Sequence, residues 1–144
     1  LRMAKQLGAD AVIDAKEDVP ELVREMNGGW LADLAIVCTG ALTAFQQALR
    51  SVERGGMVLA FACTVPGVEL PVPLNDFWRN EIKLAPSYGN APYDAVVAIE
   101  LLRSRRVDIT PLITHRLPLK ETGRGFQLVA EAQDSLKVII EPHQ

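Results

Sequence analysis

Histidine and cysteine, the residues that most often ligate metals or act as nucleophiles, occur only twice each in these 144 residues. Cys38 and Cys63 are too few for a disulfide framework or a cysteine-based tetrahedral zinc site. His115 and His143 stand far apart in sequence. A histidine at position 115, in a short apolar run, reads as a rim or hydrogen-bonded residue before a catalyst. The strongest sequence signatures are missing too: there is no Walker loop, His-Glu-x-x-His, Cys-x-x-Cys or Gly-x-Ser-x-Gly. Gly123-Arg124-Gly125 imitates the start of a dinucleotide fingerprint, but it lacks the third glycine and follows no buried strand. No apolar run approaches the roughly 18 residues of a spanning helix, and no signal peptide is visible. With 15 Lys and Arg against 18 Asp and Glu, the net charge of -3 gives no electrostatic reason to expect nucleic acid or an anionic membrane as partner. A cytoplasmic, reducing setting is the expectation. The chain opens Leu1-Arg2-Met3-Ala4-Lys5-Gln6-Leu7-Gly8, without an initiator Met and with helical spacing from the first residue. It reads as the end of a helix whose beginning lies upstream.

What is present is a strand–helix alternation centred on Asp33–Gly40, whose apolar run Leu34 to Cys38 stops at a Thr-Gly turn. So short and unbroken a run predicts a strand buried on both faces, as in a parallel sheet covered by helices. Before it, Ala11-Val12-Ile13 reads as another short buried strand. Asp18-Val19-Pro20-Glu21 reads as a helix start, with Asp18 capping the N3 amide and Glu21 in the capping-box position. Val19, Leu22, Val23 and Met26 form its inner stripe, and Asn27-Gly28-Gly29 ends it. After Gly40, Leu42, Phe45, Leu49 and Val52 lie on one helical face of Ala41–Glu53. Gly55-Gly56 is expected to terminate that helix and Met57–Ala62 to form the next strand. This is the βαβ pattern, so the fold class is α/β with a doubly wound parallel sheet.

Further on, Val68–Pro73 is proline-broken and suits only an edge or loop strand. Leu74–Asn80 makes one helical turn, Ile82–Ser87 a strand, and Pro92–Arg106 the longest helix, apolar over an arc wide enough to touch two bodies. The arginines 103, 105 and 106 read as its solvated end, favoured there by the macrodipole. A strand near Ile113–Leu117, a helix from about Lys120 to Ala132 and a strand Leu136–Ile140 close the chain. Trp30 and Trp78 are expected to be packing residues.

In a doubly wound sheet the carboxyl ends of the strands bind ligands. Three ends qualify: Cys38-Thr39-Gly40, Ala62-Cys63-Thr64 and Ser87-Tyr88-Gly89. Small residues there let backbone approach a flat ligand closely, although any parallel strand can end in small residues at a turn. For Cys38 and Cys63, burial as small hydrophobes is preferred to a redox pair.

Ala4-Lys5-Gln6-Leu7-Gly8-Ala9-Asp10, Cys38-Thr39-Gly40, Ala48-Leu49-Arg50-Ser51-Val52 before Gly55-Gly56, Leu112-Ile113-Thr114-His115-Arg116-Leu117-Pro118-Leu119, Gly125-Phe126 and Lys137-Val138-Ile139-Ile140 follow one another along the chain. This ordered set resembles the zinc-dependent medium-chain alcohol dehydrogenase family, near its sorbitol and threonine dehydrogenase branch. The resemblance implies a partial Rossmann domain over residues 1–92, missing its first strands. Residues 93–144 are then a linking helix and the return to the catalytic domain. It implies NAD or NADP as cofactor and a zinc whose ligands lie outside this chain, which is expected to be a C-terminal portion inactive alone. No catalytic or metal residue is assigned here. The cofactor-binding candidates are Cys38, Thr39, Gly40, Ala62, Cys63, Thr64, Ser87 and Tyr88, with Lys137 either near the pyrophosphate or a solvent-facing lysine. The implied reaction is hydride transfer from a secondary alcohol, polyol or sugar. Subunits would pair through Val68–Pro73 and Ile82–Ser87, whose prolines otherwise serve as edge protection. The alternatives are a non-catalytic nucleotide-sensing module and a piece of a methyltransferase. A chain without its first strands should expose apolar edges at Ala11–Ile13 and Leu34–Cys38.

Overall fold

Val58 has none of its surface exposed, and the first half of the chain folds around it. A computed structural model describes residues 1–143, which divide into two units, Leu1–Gly89 and the remainder from Asn90 onward. The first contains α1 (Arg2–Gln6), α2 (Val19–Met26), β1 (Ala32–Val37), α3 (Leu42–Ser51), β2 (Val52–Ala60), α4 (Leu74–Arg79) and β3 (Lys83–Pro86). Its sheet has the order β1-β2-β3 with both pairings parallel, in register from Leu34↔Met57 to Val37↔Ala60 and from Met57↔Lys83 to Ala60↔Pro86. The helical spacing of α3 turns Phe45 and Ala48 onto Val37, Val52 and Val58, and Leu49, Leu70 and Ile82 pack around that cluster. The α/β class and parallel sheet expected from the sequence are both present.

Several local expectations are corrected. β1 runs from Ala32 to Val37, ending before Cys38, and only one of its faces is covered. Val37 and Ala35 meet the core, whereas Leu34 and Ile36 on the other face are 49% and 53% exposed. Ala11–Ile13 belongs to no strand, because no ladder partner lies beside it among the described residues. Its segment is held instead by Gln47 Nε2, which donates to Ala15 O at 2.8 Å. At the start of α2 the Asp18 side chain makes no capping hydrogen bond, and Pro20 stands in the first turn. Met26 is exposed, so the inner stripe of α2 is reduced to the half-buried Val19, Leu22 and Val23.

Gly55-Gly56 does not end α3, which stops at Ser51 when Val52 adopts extended backbone. The two glycines lie inside β2 at an irregularity, where β1 advances from Ala32 to Leu34 while β2 advances from Val52 to Met57. Gly55 takes φ +76° there, and a Cβ on Gly56 would sit 2.7 Å from Glu53 O. Val68–Pro73 joins no ladder, which leaves it a loop segment among the described residues. Trp30 and Trp78 are 66% and 74% exposed and are not core residues.

The second unit contains α5 (Pro92–Arg103), β4 (Ile113–Pro118), α6 (Thr122–Glu131) and β5 (Lys137–Glu141). Asp94 Oδ2 accepts from Ala91 N at 2.7 Å and fixes the start of α5. α5 ends at Arg103, earlier than expected, and Arg105 has φ +54°. The arginine cluster is solvated, as expected, and Leu101 is the only half-buried apolar residue of α5. β4 and β5 pair in parallel across α6, a single βαβ unit. Gly125 lets α6 approach this sheet: a Cβ there would lie 3.2 Å from Ile140 Cδ1 and 3.4 Å from Val138 Cγ1.

Candidate functional site

Because β1, β2 and β3 are parallel, their carboxyl ends share one edge of the sheet. Val37 O accepts from Phe61 N at 3.1 Å and Ala62 N at 2.9 Å, and Ala60 O accepts from Ser87 N at 2.9 Å. These bonds set Cys38, Ala62 and Ser87 side by side just past the ladder. The following turn, Thr39-Gly40, is drawn against the second strand end. A Cβ on Gly40 would stand 2.7 Å from Cys63 O and 3.6 Å from Thr64 Cα, so only glycine allows this approach. Thr39 Oγ1 accepts from Ala41 N at 3.3 Å, which shapes the turn into α3. The amino end of α3, with the positive end of its dipole, begins at this edge.

The structure thus brings together Cys38, Thr39, Gly40, Ala62, Cys63, Thr64 and Ser87, with Tyr88 next and fully exposed. The preference for buried cysteines is overturned: both are exposed free thiols, since each lies beyond the last ladder residue of its strand. Cys38 Sγ lies 3.9 Å from Ile36 O, within the reach of a weak thiol donor, on the open face of β1. Lys137 lies in the second unit, where it opens β5 opposite Ile113 and its side chain is exposed. His115 is half buried with Nδ1 3.0 Å from Thr114 Oγ1, in keeping with a hydrogen-bonded rim residue. Among the described residues no group of three or more His, Cys, Asp or Glu side chains could hold a metal ion.

The opposite edge of the sheet holds a feature the sequence did not reveal. A cleft of about 410 Å³ is lined by Arg24, Arg50, Glu53, Arg54, Phe77 and Asn80 among others. Glu53 accepts from Leu31 N and from Arg54 N, each at 3.1 Å. Those two backbone bonds, with Arg24 and Arg54 nearby, hold its carboxyl below the ordinary value. Leu31 and Glu53 are 22 residues apart and meet only because β1 and β2 pair, which no local pattern announces. Asp108, in the second unit, is also held low, by the Thr110 hydroxyl and backbone amide.

The zinc-binding dehydrogenase family model matches residues 1–104. The chain is 34% identical over 99% of its length to an L-threonine 3-dehydrogenase of Bacillus velezensis, covering 41% of that protein. It is 27% identical over 99% of its length to a sorbitol dehydrogenase of Halalkalibacterium halodurans, again covering 41%. In structure it superposes on an alcohol dehydrogenase from Thermus sp. ATN1 with a TM-score of 0.86 at 27% identity, covering 96% of this chain and 39% of that one. The chain therefore spans about 40% of the length of the relatives it matches. With a family model that matches residues 1–104 of its 144, this chain belongs to the zinc-binding dehydrogenase family.

Proposed function

We propose that this chain works as part of a longer NAD(P)-dependent dehydrogenase acting on a secondary alcohol of the polyol or sugar class. In this reading residues 1–92 supply part of a Rossmann domain and residues 93–144 a linking helix and the return to the catalytic domain. The observation that carries the reading is the close approach of Gly40 to Cys63 at an edge shared by three parallel strand ends. That approach leaves backbone, without side-chain bulk, where a flat ring can lie. Threonine- and sorbitol-oxidising relatives support the substrate class.

A bound nicotinamide supplies the hydride acceptor. Around it the chain's own groups have simple tasks. Gly40 leaves room, the Thr39 and Thr64 hydroxyls and the Ser87 side chain offer hydrogen bonds, and Tyr88 offers an exposed ring at the rim. Zinc is another matter: the described residues contain no ligand set for it, so no step through a metal is assigned to this chain. Pairing of subunits along Val68–Pro73 and Ile82–Ser87 accords with β3 being the outer strand of its sheet. No helix of the structure is long and apolar enough to cross a membrane, and a cytoplasmic location belongs to the same proposal.

The test is to supply the longer protein with zinc, NAD or NADP and a panel of polyols and secondary alcohols. Growth of reduced-nicotinamide absorbance is expected. No reduction, together with no tightly held zinc, overturns the reading. Calorimetry on the 144-residue chain separates the nucleotide-sensing alternative, which requires that chain itself to bind nucleotide.

A further inference from the structure

We propose that Cys38 and Cys63 are a paired thiol site that closes into a reversible disulfide across the carboxyl ends of β1 and β2. Both side chains are free and exposed. Their backbones are held together from two sides. On one, Ala62 N donates to Val37 O at 2.9 Å, joining the residue before Cys63 to the residue before Cys38. On the other, Cys63 O faces Gly40 so closely that a Cβ there would be 2.7 Å away. Cys38 lies between these two points of contact, so the two cysteines flank one junction of neighbouring strands. A disulfide requires Cα atoms roughly 4.4–6.8 Å apart; adjacent strands stand about 4.8 Å apart, Ala62 is the residue beside Cys38, and Cys63 is the next residue along. Both cysteines stand just outside the regular ladder, in segments that are neither helix nor strand. Small adjustments toward bridging geometry therefore break no sheet hydrogen bond.

The chemistry needs an external oxidant, and a low-molecular-weight disulfide such as glutathione disulfide serves. One cysteine thiolate attacks it, forming a mixed disulfide and expelling one glutathione thiolate. The second cysteine thiolate then attacks the protein sulfur of that mixed disulfide and expels the other glutathione. Two protein thiols are oxidised to one disulfide, and one glutathione disulfide is reduced to two thiols. A dithiol reductant reverses the sequence. The bridge would tie the Thr39-Gly40 turn to the β2 end. Its effect on cofactor, though not the bridge itself, rests on the cleft proposed above.

The longer protein, at low concentration to exclude bridges between molecules, is treated with glutathione disulfide in native buffer and in urea, trapped with a thiol alkylator at intervals, and mapped by mass spectrometry. A Cys38–Cys63 linked peptide is expected, forming at least about tenfold faster in native buffer because the fold holds the partners together. C63S is expected to stop at a glutathione adduct on Cys38. Adducts on both cysteines without a bridge, or bridging no faster than in urea, overturn the proposal. A second arm measures cofactor affinity of the longer protein, reduced and oxidised. A bridge that forms while affinity stays unchanged leaves the thiol pair standing and counts against the cleft assignment.

Discussion

Gly40 and Glu53 show how much a single residue contributes at each edge of the first sheet. At Gly40 the constraint is steric: a methyl group would meet the Cys63 carbonyl at 2.7 Å, and both partners are backbone, so the strand ends must part. Gly40→Ala is expected to cost about 1–3 kcal/mol, the usual range for overpacking. The measurement is the urea midpoint by circular dichroism, at one fixed protein concentration. In the longer dehydrogenase proposed above, the same change should raise KM for the nicotinamide. At Glu53 the constraint is electrostatic. Its carboxylate accepts two backbone amides, and its folded pKa lies below the ordinary 4.5. A carboxyl with a lowered folded pKa adds stability that is fully present above the unfolded pKa and fades as pH falls through the folded one. Glu53→Gln replaces one of the two accepting oxygens, Oε1 or Oε2, by an NH2 donor, so one of these two bonds is lost. The variant is expected to unfold at lower urea near neutral pH, and the gap from the parent should close as pH drops below 4.5. An equal gap at all pH values would show that Glu53 acts by packing alone.

Elements were legible in the sequence to the extent that their signals are local. The alternation of strands and helices, the parallel sheet and the placement of Phe45 and Leu49 on one face of α3 follow from periodicity alone. What failed depends on partners. The unbroken run Leu34–Cys38 indicates a strand with two apolar faces, and the faces are indeed apolar, but Leu34 and Ile36 stay about half exposed and lie outside the buried cluster. Ala11–Ile13 has strand composition and no ladder. Gly55-Gly56 looks like a helix stop by composition, yet Val52 had already turned the chain into β2. At the site, the strand-end triplets were legible because small residues mark turns. The exposure of both cysteines was not, since it depends on where each ladder ends. The two faces of β1 should therefore respond differently to truncation. Phe45→Ala removes a buried ring and is expected to cost about 3–5 kcal/mol, whereas Ile36→Ala in this chain should cost less than about 1 kcal/mol. In the longer protein the Ile36→Ala penalty should rise to roughly 2–5 kcal/mol if the open face of β1 is covered there. Urea titrations of the two variants in both contexts decide the matter.

At the scale of the molecule, the balance between covered and uncovered apolar surface governs behaviour. Among the described residues, seven apolar side chains are buried, while 24 large ones, Leu34, Ile36, Leu84, Ile99 and Phe126 included, remain exposed. Exposed apolar residues are ordinary when scattered, but Leu34 and Ile36 adjoin on one sheet face, and Phe126 and Val129 line an apolar hollow of about 120 Å³ beside β5. Each 400 Å² of such surface left in water forgoes about 10 kcal/mol at 25 cal/mol per Å², as much as the whole stability of an ordinary domain. A chain with so small a core has two ways to lower that cost. It can pack against further protein, or it can pack against itself. The isolated 144-residue chain is therefore expected to self-associate and to bind a hydrophobic dye strongly. Its apparent Tm should rise with protein concentration, because assembly stabilises by mass action. Sedimentation at several concentrations with parallel melts tests this. A monomer with a sharp, concentration-independent melt would show that the small core around Val58 suffices, and the open face of β1 would then be ordinary protein surface.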